Sequence, residues 1–140
     1  MGKIYSIISI FMVSLLAFSA AAAQNRRPVS GRVAAGTYRN EFDNEFRIRA
    51  LGRWKLRLVF KGVYGYDSPS GPTENTGEIA GTARLAGGTA RFAPKEFPGC
   101  RITLKFLEGG RMEAAQAGEC GFGAGVSATG SYRRIGKIPF

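Results

Sequence analysis

From Gly36 onward, the dominant rhythm is an apolar residue at every second position. That period suits strands with one dry face and one wet face, and it excludes a helical bundle. Trp54, Leu56, Leu58 and Phe60 alternate with Lys55, Arg57, Val59 and Lys61. Cys100, Ile102, Leu104 and Phe106 alternate with Arg101, Thr103, Lys105 and Leu107, and Phe46, Ile48 and Ala50 flank Arg47 and Arg49. Glycine turns at Leu51-Gly52-Arg53, Ala86-Gly87-Gly88 and Glu108-Gly109-Gly110 punctuate these runs. The expected fold is all-β: a single antiparallel β-barrel, or a compact sandwich, of about eight short strands. Gly36-Thr37-Tyr38-Arg39 is echoed near the end by Gly130-Ser131-Tyr132-Arg133. Pairing of these two segments would close the sheet and remove its free edges.

Two segments break the rhythm. Residues 64–76 hold Pro69 and Pro72 and have no apolar period, so the longest loop is expected there. Asn40 to Phe46 is ambiguous, because Phe42 and Phe46 have helical spacing without helix length.

Residues 1–23 read as a secretory signal peptide. Lys3 precedes an apolar run, and Ala21 and Ala23 stand before Gln24 as a peptidase would need. A basic, mobile arm over 24–35, a barrel domain over 36–134 and a tail over 135–140 complete the expected layout. The location expected for such a chain is the periplasm or the exterior. No later stretch is long and apolar enough for a transmembrane helix. In an oxidising compartment Cys100 and Cys120, the only two cysteines, would form a disulfide. Their separation is unlike that of a CxxC redox pair, which disfavours the alternative of two reactive thiols.

The chain has 20 Lys+Arg, 10 Asp+Glu and no histidine, for a formal net charge of +10. Without histidine there is no Ser-His-Asp triad, Cys-His dyad or histidine-ligated zinc. Two cysteines cannot form a four-thiolate metal site. Glu41, Asp43 and Glu45 would share one face of an extended segment, but they match no calcium-loop pattern. No cofactor, metal or catalytic residue is expected, and the chain is read as a non-enzyme.

The strongest nonrandom feature is a basic hairpin. Arg47 and Arg49 would line one face of its first strand, and Lys55, Arg57 and Lys61 the polar face of its second. Such a surface attracts anionic envelope polymer or lipid. Charge on an outer strand face also serves solubility and edge protection, and the pattern alone does not separate the two roles. Export argues against nucleic acid as a partner. Tyr64 and Tyr66 are expected as ligand contacts, forming an aromatic rim with Trp54 beside the basic surface. The glycine-rich stretch at Gly121, Phe122 and Gly123 lacks the Gly-Lys-Ser/Thr of a phosphate loop. It is read as a structural turn that lets Phe122 tuck beside the disulfide.

From Asn75 onward the order of features is familiar. Asn75-Thr76-Gly77-Glu78-Ile79-Ala80-Gly81-Thr82-Ala83 is followed by Ala90-Arg91-Phe92 and Cys100-Arg101-Ile102-Thr103-Leu104-Lys105-Phe106, then Cys120-Gly121-Phe122-Gly123 and Ala128-Thr129-Gly130-Ser131-Tyr132. This resembles a group of small exported bacterial β-barrel proteins, mostly uncharacterised and loosely similar to periplasmic lysozyme-inhibitor domains. The resemblance implies export and a disulfide-stapled barrel and transfers no activity. A second functional expectation beside it is inhibition of an extracytoplasmic hydrolase by a loop that plugs the enzyme's cleft, with an acidic enzyme the better match to so cationic a chain. The Ser-Gly-x-x-Tyr loop pattern of the C-type inhibitors does not occur.

Overall fold

The computed structural model describes residues 28–137, so the expected signal peptide, the first part of the arm and residues 138–140 lie outside the described residues. Eight antiparallel strands form a closed barrel in chain order: β1 (Gly36–Arg39), β2 (Glu45–Ala50), β3 (Lys55–Ser68), β4 (Gly71–Ala86), β5 (Thr89–Phe92), β6 (Arg101–Leu107), β7 (Arg111–Ala117) and β8 (Gly130–Gly136). The expected echo does close the sheet. Tyr38 of β1 faces Arg134 of β8, and Arg39 faces Arg133, with a register shift between Thr37 and Tyr38. Phe46, Ile48, Leu56, Leu58, Phe60 and Leu104 all point inward and are fully buried, so the alternating dry face fills the barrel.

The end that carries turns 51–54, 87–88 and 108–110 is called here the base. The end that carries segments 40–44, 93–100 and 118–129 is the mouth. A short helical turn, α1 (Gly31–Ala34), packs at the base. This part of the arm is docked: Ala34 is buried, and Gly31 N–H donates to the Arg53 carbonyl at 2.8 Å. A β-carbon on Gly31 would collide with the Gly52 carbonyl oxygen. At the other terminus β8 runs to Gly136, so Ile135 and Gly136 belong to the last strand rather than to a tail.

The expected long loop over 64–76 is replaced by an extended hairpin. β3 and β4 pair without interruption from Lys55↔Arg84 to Ser68↔Gly71, passing through Tyr64↔Asn75 and Tyr66↔Thr73. The outer half of this ribbon extends beyond the barrel wall, and most of its residues are exposed on both faces. No dry face means no apolar alternation, which is why the strand is invisible to a period-two search. The prolines occupy the tip, where Pro69 lies in the turn and Pro72 faces Asp67.

Cys100 and Cys120 are joined, with Cα atoms 4.8 Å apart. The bridge ties the start of β6 to the loop after β7, and closing a loop of that length contributes on the order of 3 kcal/mol. Gly121 has φ 74°, and a side chain there would strike the Phe97 ring. Phe122 packs against Phe60, with ring centroids 5.1 Å apart, and over Gly77, where a β-carbon would sit 2.6 Å from its ring.

The two echoed segments also share a side-chain device. Tyr38 Oη donates to the Ala34 carbonyl at 2.9 Å, and Tyr132 Oη donates to the Ala128 carbonyl at 2.9 Å. Both tyrosines are buried, and each reaches back four residues to fasten the segment that leads into its strand. One therefore staples the base and the other the mouth. Burial raises both phenol pKa values, with the Arg134 guanidinium partly offsetting the effect at Tyr38, so both remain donors. Tyr132→Phe should leave the Ala128 carbonyl without this donor and cost about 1–2 kcal/mol. Thermal unfolding should show a fall of several degrees, and an unchanged midpoint would mean that the staple contributes nothing.

Candidate binding surface

Because the barrel wall is a single pleated layer, the residues between buried positions all face outward. Arg49 and Arg57 lie directly opposite each other on β2 and β3. Lys55 of β3 faces Arg84 of β4, and Arg84 in turn faces Arg91 of β5. Arg49, Lys55, Arg57, Arg84 and Arg91 are all exposed, and none forms an ion pair among the described residues. With directly opposed Cα atoms about 5 Å apart, this cationic band crosses four strands of the outer wall towards the base.

Two of the expected basic residues are engaged elsewhere. Arg47 Nε lies 2.5 Å from Glu45 Oε1, and Arg39 Nη2 lies 2.8 Å from Glu45 Oε2. Lys61 Nζ is 3.8 Å from Glu78 Oε2 across the β3–β4 pair. Arg84 and Arg91 escape sequence reasoning because they lie on separate strands. Their alternation with Ala83, Leu85, Ala90 and Phe92 shows an outward direction, but only the register brings them beside Lys55.

The expected aromatic rim does not form. Tyr64 and Tyr66 continue the inward-facing row of Leu56, Leu58 and Phe60, so they face away from Lys55, Arg57 and Lys61. Trp54 is at the base, and a β-strand separates it from Tyr64 by about 30 Å. Tyr64 instead packs on Gly125 at the mouth.

The mouth contains a half-open groove of about 550 Å³, whose walls include Glu41, Phe42, Asp43, Tyr64 and Thr129. Asn44 anchors it: its Oδ1 accepts from Val63 N–H at 2.8 Å, and its Nδ2 donates to the Ser127 carbonyl at 3.3 Å. The supposed acidic face splits here. Asp43 takes a left-handed backbone, φ 62°, at the end of the turn, while Glu45 begins β2 and turns to its two arginines. Among the described residues no three His, Cys, Asp or Glu side chains come together as a metal cluster. The chain matches no family model, no curated protein and no solved structure.

Glu45 is the most buried acidic side chain in the described structure. Burial pushes its pKa up, but hydrogen bonds and charge from Arg39 and Arg47 outweigh that effect and hold it below the ordinary carboxylate value. A depressed carboxyl adds stability above its ordinary pKa, and the gain disappears as pH falls through the lower folded-state value. Glu45→Gln should therefore cost about 1–2 kcal/mol at neutral pH. The gap between the two proteins should narrow on acidification, whereas a gap independent of pH would contradict the assignment.

Proposed function

We propose that this is an exported, non-enzymatic binding protein that holds anionic envelope material, lipid or polymer, on the outer wall of β2 to β5. The observation that carries the reading is the row Lys55–Arg84–Arg91 with Arg49 and Arg57 beside it. Like charges held this close repel one another, and among the described residues no carboxylate pairs with them. A phosphate- or carboxylate-rich ligand would relieve that repulsion, and the arginine forks suit either group through paired hydrogen bonds. The leader-like first 23 residues and the disulfide both accord with export.

A second reading, inhibition of an extracytoplasmic hydrolase, is favoured by the projecting β3–β4 ribbon. A ribbon of this kind can enter a cleft, and it carries Tyr66, Asp67 and Glu74 near its tip. Glu41, Asp43, Glu96 and Glu119 lie on the mouth segments, so a basic hydrolase would meet local acidity there despite the chain's net positive charge.

Heparin chromatography over a salt gradient tests the first reading. The protein should be retained and should elute at a well-defined salt concentration. An Arg57→Glu/Arg84→Glu variant should elute far earlier than a Lys95→Glu/Arg101→Glu variant, whose equal change in net charge lies at the mouth. Equal shifts would reduce the effect to net charge, and a lack of retention at low salt would remove the reading.

A further inference from the structure

The base presents apolar side chains as well as charge. Val33 of α1 is 55% exposed, and Leu51 and Trp54 of the neighbouring turn are 44% and 42% exposed. These residues share one rigid platform. The Gly31–Arg53 backbone hydrogen bond ties α1 to the 51–54 turn, and Arg134 of β8 donates to the Val33 carbonyl. Leu51 N–H donates to the Lys55 carbonyl at 2.8 Å, and Leu85 N–H donates to the Trp54 carbonyl at 2.9 Å. The platform is fixed in place before any partner arrives.

Cations surround it. Arg32 lies between Gly31 and Val33 on α1, Arg53 stacks over the Trp54 ring at 4.9 Å, and Lys55 with its neighbour Arg84 begins the band on the adjoining wall. Glu108, in turn 108–110, is the single carboxylate in the three base turns. An apolar tip that includes a tryptophan, ringed by long cationic side chains, is chemically matched to the headgroup layer of an anionic bilayer. Indole suits the interface, and arginine stems cover apolar surface while their heads reach phosphate.

We infer that the base is a membrane-docking tip, with Val33, Leu51 and Trp54 entering the outer layer of an anionic lipid bilayer while Arg32, Arg53, Lys55 and Arg84 bind its phosphates. This rests on the proposed recognition of anionic envelope material and names the lipid surface as the ligand. A hydrated polysaccharide would gain nothing from the three apolar side chains. A second copy of the chain would bring one cationic tip against another and be repelled. The lipid surface satisfies both halves of the patch, and neither half alone would hold the protein firmly.

Trp54 is the only tryptophan in the chain, so its fluorescence reports on the tip directly. The test uses protein beginning at Gln24 and vesicles of phosphatidylglycerol mixed with phosphatidylcholine, with pure phosphatidylcholine vesicles alongside. The expected result is flotation with the anionic vesicles only, a blue-shifted Trp54 emission, and quenching by lipids brominated near the headgroup end of the acyl chain. A Val33→Ser/Leu51→Ser variant should bind at least about tenfold more weakly while retaining its melting temperature and heparin elution, because both side chains project into solvent. Retention on heparin without binding to anionic vesicles would overturn the docking tip alone, and loss of both would overturn the proposed function with it. Flotation with unshifted, unquenched Trp54 would overturn insertion. A concentration-dependent blue shift without vesicles would assign the tip to a second copy instead.

Discussion

Closure of the sheet between β1 and β8 is the constraint on which the rest depends. Once Tyr38 meets Arg134 and Arg39 meets Arg133, every strand has a partner on each side of the barrel wall, and inward and outward become fixed properties of each position. A shift of one residue would turn Phe46, Ile48, Leu58 and Phe60 into solvent and drive arginines into the core. The two tyrosine staples guard against that shift from opposite ends. Each anchors its strand to the residue four positions upstream, so β1 and β8 enter the closing pair with their starts already held.

Closure also decides what the charges can do. Directly opposed residues such as Arg49 and Arg57, or Arg84 and Arg91, share a face in any sheet. In a filled barrel they can only face outward, and their register aligns them. The acidic residues are distributed differently. Glu45 is spent locally on Arg39 and Arg47, while Glu41, Asp43, Asp67 and Glu74 gather at the mouth and along the ribbon. The result is a molecule with a cationic base and wall and a more acidic opposite end. Composition records only the net +10.

The parts of the fold that could be read from sequence are those where one strand face is dry. β2, the first half of β3, and β6 follow their alternation closely, and the glycine turns lie where expected. The Gly-x-Tyr-Arg echo correctly identified the closing pair. The outer half of the β3–β4 ribbon was hidden because solvent on both sides removes the pattern, and the pairing that extends it is inherited from the buried half. The described part of the arm, residues 28–35, is concealed for the opposite reason. Residues 24–33 read as a polar, basic segment broken by Pro28 and Gly31, yet within the described residues a single helical turn is enough to seat Val29, Gly31 and Ala34 against the base. For the candidate surface, the individual directions of Arg49, Lys55 and Arg57 were legible. Their joining with Arg84 and Arg91 was not, because neighbourhood across strands depends on register. Tyr64 and Tyr66 have a different cause: a loop over 64–76 gives them no strand direction, and once β3 continues to Ser68, counting from Phe60 puts them on the inward-facing row.

Residue-resolved amide chemical shifts, followed while anionic lipid micelles are titrated into the protein, test the central claim most directly. The account predicts perturbations at residues 32–33, 49–57, 84 and 91, with Glu41, Asp43, Tyr64 and Thr129 unmoved. Perturbations concentrated at the mouth, or spread evenly over all exposed lysines and arginines, would contradict it.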